Sequence, residues 1–192
     1  GTGKSTQARL LSEYFSFRGR STVLTEEPGG TSIGLNIRKV LLKVEHSAMH
    51  HLTELLLYNA SRCQHIHELI LPSLQTGKIV ITDRFSDSTI AYQGYGRGID
   101  MKLIEALDVI ATGMLRPDLT LLLDLDVETG LKRNRDARKV DRIELEGLQF
   151  HKRVRAGYLE LASKEPGGIK GIEASGNSKA VQDRIIDAVK DL

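Results

Sequence analysis

The chain of 192 residues has a single cysteine, almost no net charge and no long apolar run, and each shortage removes a class of protein. The lone thiol, Cys63, excludes an intrachain disulfide framework and fits a reducing compartment. Lys plus Arg number 27 against 25 Asp plus Glu, so the net charge of +2 builds no broad field for a nucleic-acid polymer or a membrane surface. With no signal-type leader in view, a cytoplasmic location is the expectation. Compositional breaks, internal repeats and low-complexity tracts are also missing. Since 40% of the residues are hydrophobic, the expectation is a single domain over 1–192 with one sizeable core.

What is present begins at the first residue. Gly1-Thr2-Gly3-Lys4-Ser5-Thr6 matches the second half of the phosphate-binding pattern G-x-x-x-x-G-K-[ST]. Glycines let backbone N–H groups close around phosphate oxygens, and the helix that follows adds its positive end. Lys4 supplies a point charge and Ser5 a hydroxyl for Mg²⁺. Such a loop follows a strand, which is expected upstream of residue 1.

Hydrophobic spacing predicts a helix from Lys4 to Arg18 stopped by Gly19, then a short strand over 21–25 ending in the loop Glu26-Glu27-Pro28-Gly29-Gly30. Ile33, Ile37, Val40 and Leu41 share a helical face, with Arg38 on another side. A long helix is expected from His51 to Leu71, ending near Pro72, with Tyr58 and Arg62 one turn apart on the same face. Lys78 to Thr82 and Leu119 to Leu125 are apolar runs of the buried parallel-strand kind, and Asp83-Arg84 closes the first of them. Ligands gather at that end of strands in open α/β sheets. A short helix over 86–92 leads into 93–98, whose three glycines predict a mobile loop. The basic run 133–139 is a surface segment, and helix, weak strand and helix complete the chain. Strands alternating with helices predict an α/β fold with a parallel sheet covered on both faces.

Several short motifs now stand in a specific order. They are Gly1 to Gln7, Glu27-Pro28-Gly29-Gly30-Thr31, Ala60-Ser61-Arg62, Asp83-Arg84-Phe85, Ala91 to Gly94 with Gly96-Arg97-Gly98, Asp141-Arg142-Ile143-Glu144, and Val154-Arg155 with Tyr158 to Ala162. Over nearly its whole length the chain resembles the bacterial type of the thymidylate kinase family, which has a P-loop nucleoside monophosphate kinase fold. The resemblance implies transfer of the γ-phosphoryl group of ATP to dTMP with Mg²⁺, giving dTDP, in a homodimer. It implies that Gly1, Thr2, Gly3, Lys4, Ser5 and Thr6 hold the donor, that Ser5 and Asp83 hold the metal, and that Arg84 and Arg38 grip the acceptor phosphate. Tyr58 falls on the position that stacks on the base, Arg62 on the arginine that reads its edge, and Thr89 on a polar base contact. Tyr92 falls beside the sugar, where it disfavours a ribose 2′-hydroxyl. Glu27, Gln93 and Glu144 fall on acceptor-site positions. A lid near 133–144 places arginine over ATP, with Arg135 or Arg138 favoured for the transition state. One departure is Glu26, where many bacterial members carry arginine.

A kinase for another monophosphate would keep the P-loop and Asp83-Arg84 but differ at Tyr58, Arg62, Thr89 and Tyr92. A regulatory nucleotide-binding module would show a degraded acceptor site. His46, His50, His51, His65 and His67 lack suitably spaced acidic or thiol partners for a metal, and Cys63 is expected to be a small buried residue.

Overall fold

The computed structural model describes residues 1–137 and 141–190. Helix α1 spans Lys4–Phe17 and is followed by strand β1, Thr22–Thr25. Helix α2 spans Ser32–Leu42, opened by Thr31, whose Oγ1 accepts the Gly34 N–H at 2.9 Å. Helices α3, His51–His65, and α4, Leu71–Gln75, flank a π-turn at Ile66–Ile70. Strand β2, Ile79–Thr82, leads to α5, Ser86–Thr89, a second π-helical segment at Ile90–Gly96, and α6, Met101–Thr112. Strand β3, Thr120–Asp124, precedes α7, Val127–Asp136, and α8, Leu148–Lys164. Strand β4, Ile169–Glu173, and α9, Ser178–Val189, follow.

The strands form two parallel pairs. β1 lies beside β2, with Thr22 opposite Ile79, and β3 lies beside β4, with Thr120 opposite Ile169. Alternate side chains of β2 serve opposite faces, as the period of a strand requires. Ile79 and Ile81 pack with Leu11 and Phe15 of α1 and Val181, Ile185 and Val189 of α9. Val80 packs on the other side with Ile66, Ile70 and Phe85. The sheet is thus covered on both faces, as its continuous apolar runs predict. Between β2 and β3 lies a cavity of about 670 Å³, lined by Ile79 to Thr82 on one side and Leu119 to Leu125 on the other. Gly1 and Lys4 also line this slot.

Two expectations need correction. The long helix does not end near Pro72, because the Ile66–Ile70 turn widens just before it and Leu71 N–H reaches back to Ile66 O. Pro72 then enters the first turn of α4, where its missing N–H costs little. Residues 93–98 are not a mobile loop, since Gln93, Gly94 and Gly96 are buried within the second π-helical segment. The glycines there serve close packing: a Cβ at Gly94 would lie 2.6 Å from Met101 Cε, and one at Gly96 would lie 2.7 Å from Phe150 Cε2. The described part of the basic run lies on the surface as expected, with Arg133 and Arg135 exposed on α7. No helix among the described residues is long and apolar enough to cross a membrane.

Candidate active site

The chain turns from loop to helix at Gly3, whose φ of 86° is left-handed and strained for any residue with a side chain. From there α1 points its N-terminal N–H groups, with Lys4, Ser5 and Thr6, into a cleft of about 320 Å³. Gly1 packs so closely on α7 that a Cβ would overlap the Gly130 backbone. Thr2 lines the neighbouring slot.

Across the cleft stand Asp83 and Arg84 at the C-terminal end of β2. Asp83 Oδ1 accepts the Glu27 N–H at 3.2 Å, which ties the end of β2 to the loop after β1. Arg84 has a different setting from its neighbours. Its Nη1 lies 3.5 Å from Tyr158 Oη and its Nη2 lies 3.4 Å from Tyr92 Oη, while its guanidinium stacks 5.0 Å from the Tyr92 ring centroid. Those contacts are long, and among the described residues Arg84 meets no carboxylate. Burial pushes the Tyr158 hydroxyl up to about 12, so it stays protonated at neutral pH, and it shares a 2.7 Å hydrogen bond with Ser88 Oγ. Tyr92 is fixed by edge-on contacts with Phe150 and Tyr158.

Tyr58 and Arg62 do share the face of α3 that lines the cleft, and burial raises the Tyr58 hydroxyl above its ordinary range. Arg62 is 2% exposed. Its Nε donates to Glu27 Oε2 at 3.0 Å and its Nη1 to Thr89 Oγ1 at 2.9 Å, with Asp108 Oδ1 at 3.6 Å. Glu27 Oε1 is engaged in turn by His65 Nδ1 at 3.1 Å, and His65 Nε2 meets Thr25 Oγ1 at 2.8 Å. Glu27 therefore orients Arg62, and its carboxylate is occupied from both sides. Breaking such a buried pair costs about 3–5 kcal/mol, so Arg62→Ala alters stability as well as recognition.

Gln93, Glu144 and Arg38 also line the cleft. Arg38 Nη1 donates to Pro28 O at 2.7 Å and lies 3.4 Å from Glu26 Oε2. Of the lid arginines, Arg133 lines the cleft and Arg135 is exposed away from it, while Arg138 lies outside the described residues. Ser88, Asn134 and Asp141 line the cleft without having been singled out from the sequence, and Tyr158 acts just behind it. For Asp141 and Tyr158 the signal was present, since both sit in motifs already quoted. The described residues contain no cluster of three His, Cys, Asp or Glu side chains able to hold a metal ion. Cys63 is half-buried rather than buried.

The segment 1–6 thus faces Arg84, which meets no carboxylate among the described residues, with a tyrosine-walled pocket beside it. The family model described as thymidylate kinase matches residues 1–185. The chain belongs to the thymidylate kinase family. It is 48% identical to a thymidylate kinase of Nostoc punctiforme, over 99% of this chain and 91% of that protein. It is 46% identical to one of Pelobacter propionicus, over 98% of this chain and 89% of the other. A crystal structure of thymidylate kinase from Ehrlichia chaffeensis superposes with a TM-score of 0.79 at 36% identity, covering 99% of this chain and 93% of that one. The thymidylate kinase family membership and the α/β fold agree with the resemblance drawn from the motifs.

Glu26 places an anion beside Arg38, with side chains 48% and 34% exposed respectively. A pair this open contributes about 0.2–1 kcal/mol. Glu26→Gln is expected to tighten binding of a nucleoside monophosphate up to about fivefold in low salt, measured by calorimetry. Unchanged affinity would show that Arg38 does not meet the ligand's phosphate.

Proposed function

We propose that the chain transfers the γ-phosphoryl group of ATP to dTMP, giving ADP and dTDP. The observation that carries this reading is the opposition of Lys4 at the head of α1 to Arg84 at the end of β2 in one cleft. Phosphoryl transfer needs little covalent help from a protein; it needs two polyanions held in line and their charge offset. Lys4 and the N–H groups at the start of α1 hold the donor phosphates. Arg84 takes the acceptor phosphate, because hydroxyl contacts leave its charge uncompensated, and Arg38 assists from the other side. An arginine fork suits a phosphate's paired oxygens.

The base stacks on Tyr58, with Arg62, Thr89 and Gln93 along its edge. Tyr92, locked by Phe150 and Tyr158, stands where a 2′-hydroxyl would need room. Ser5 and Asp83 would hold Mg²⁺. A hydroxyl plus one carboxylate suits a hard cation that takes its remaining ligands from water and phosphate. When bound, the ion neutralises charge on the transferred group. Among the described residues Arg133 is the lid arginine that lines the cleft, and the lid belongs to the segment near 133–144 of one kinase domain.

We also propose a homodimer. α3 packs against both α2 and α6, and these adjacent helices expose Ile33, Val40, Leu52, Leu56, Leu103 and Ile110. The apolar face read on α2 is only partly inward, since Leu41 is fully buried while Ile33 and Val40 are 53% and 42% exposed. Exposed apolar side chains on three adjacent helices suit a second copy of the chain. Sedimentation is expected to give twice the chain mass, with Leu56→Glu shifting it to one; a wild-type monomer would refute the dimer.

The activity test measures ADP release from Mg-ATP with dTMP, dUMP, CMP and AMP as separate acceptors. Turnover is expected to favour dTMP over dUMP about tenfold or more, the worth of a methyl group in a fitted pocket. Lys4→Ala and Arg84→Ala are each expected to lower kcat by about 10²-fold or more. Equal use of all acceptors, or near-normal transfer by either variant, contradicts the proposal.

A further inference from the structure

We infer that Glu54, which does not line the cleft, is a positioning residue that locks two walls of the acceptor pocket together, the Gln93 wall and the wall formed by residues 141–144. The inference rests on the reading of that pocket given above. Glu54 sits on α3, is 0% exposed, and uses both oxygens on groups from other elements. Oε1 accepts from Gln93 Nε2 at 2.8 Å and from Arg97 Nε at 3.1 Å. Oε2 accepts from Arg97 Nη2 at 3.0 Å and from Arg142 Nη2 at 2.5 Å. Arg97 is further held by Glu146 and stacks over the Phe150 ring.

Arg142 binds the second wall to α2 as well. Its N–H donates to Leu42 O at 3.1 Å and its Nε to Leu41 O at 2.9 Å. Its flanking residues Asp141, Ile143 and Glu144 all line the acceptor cleft. Gln93, on the first wall, lines the same cleft. One carboxylate therefore joins a base-edge residue to a second segment of the pocket lining, and neither can shift without breaking a hydrogen bond to it. Burial alone would raise the Glu54 carboxyl, but Arg97, Gln93 and Arg142 reverse that and hold it below its ordinary range. Two carboxylates, Glu54 and Glu146, balance two guanidinium groups, Arg97 and Arg142.

A carboxylate buried merely for stability would be a poor device, because well-packed apolar groups serve as well or better. Fixing a unique geometry is what such a hub does well. Glu54→Gln keeps the shape but leaves one guanidinium in excess and replaces an acceptor by a donor. The variant is expected to lose about tenfold or more in kcat/KM for dTMP while KM for ATP stays within about twofold. A lowered Tm with both kinetic constants for dTMP unchanged overturns the inference, as does an equal loss for both substrates.

Hydrogen exchange of the wild-type protein decides the matter even if the variant does not fold. Addition of dTMP is expected to slow exchange at residues 141–146 together with that around Gln93. Protection around Gln93 without protection at 141–146 overturns the coupling. Failure of dTMP to bind at all would instead sink the acceptor reading itself.

Discussion

Arg84 is the cation around which the proposed acceptor side is arranged, because among the described residues it is half-buried in the cleft and meets no carboxylate. Buried guanidinium groups normally require an anion. Arg62 has Glu27, and Arg97 and Arg142 share Glu54. Arg84 instead has the hydroxyls of Tyr92 and Tyr158 at hydrogen-bonding limits. Hydroxyls orient a guanidinium without neutralising it, so the charge remains available to a phosphate. Substituting a carboxylate for either tyrosine hydroxyl would satisfy Arg84 and remove its use.

The fold supplies the direction of that charge. β2 is short, and its alternate side chains are gripped by α1 and α9 on one face and by the turn after α3 on the other. Its end cannot swing, and Asp83 is tied to the neighbouring loop through the Glu27 N–H. α1 packs on the same strand through Leu11 and Phe15, so the helix that bears Lys4 and the strand that delivers Arg84 share one core. The relative placement of Lys4 and Arg84 is thus set by apolar packing, and the polar residues act on that frame. The pairs of buried carboxylates and arginines then fix the finer placement of the proposed base pocket.

Much of this was legible in the residues, and the failures have physical causes. The phosphate loop, the apolar runs of β2 and β3, and the shared face of Tyr58 and Arg62 depend on local spacing, which a sequence displays directly. Gly94 and Gly96 were misread because glycine serves both mobility and close approach, and only the positions of Met101 and Phe150 distinguish them. Pro72 signalled an end that the widened turn before it averts. Glu54 carries no local signal at all, since its partners lie far along the chain at Gln93, Arg97 and Arg142. Helix phase, which sets Arg133 on the cleft lining and leaves Arg135 off it, is likewise invisible in the composition of the basic run.

The central claim is that one cleft holds donor and acceptor end to end between Lys4 and Arg84. The most direct measurement is calorimetric competition with a single ligand in which adenosine and thymidine are joined through their 5′ positions by a chain of phosphates. The account predicts that this ligand displaces both ATP and dTMP and binds far more tightly than either, because the second half docks without a second association cost. Displacement of only one nucleotide, or affinity no better than that of ATP alone, would contradict it.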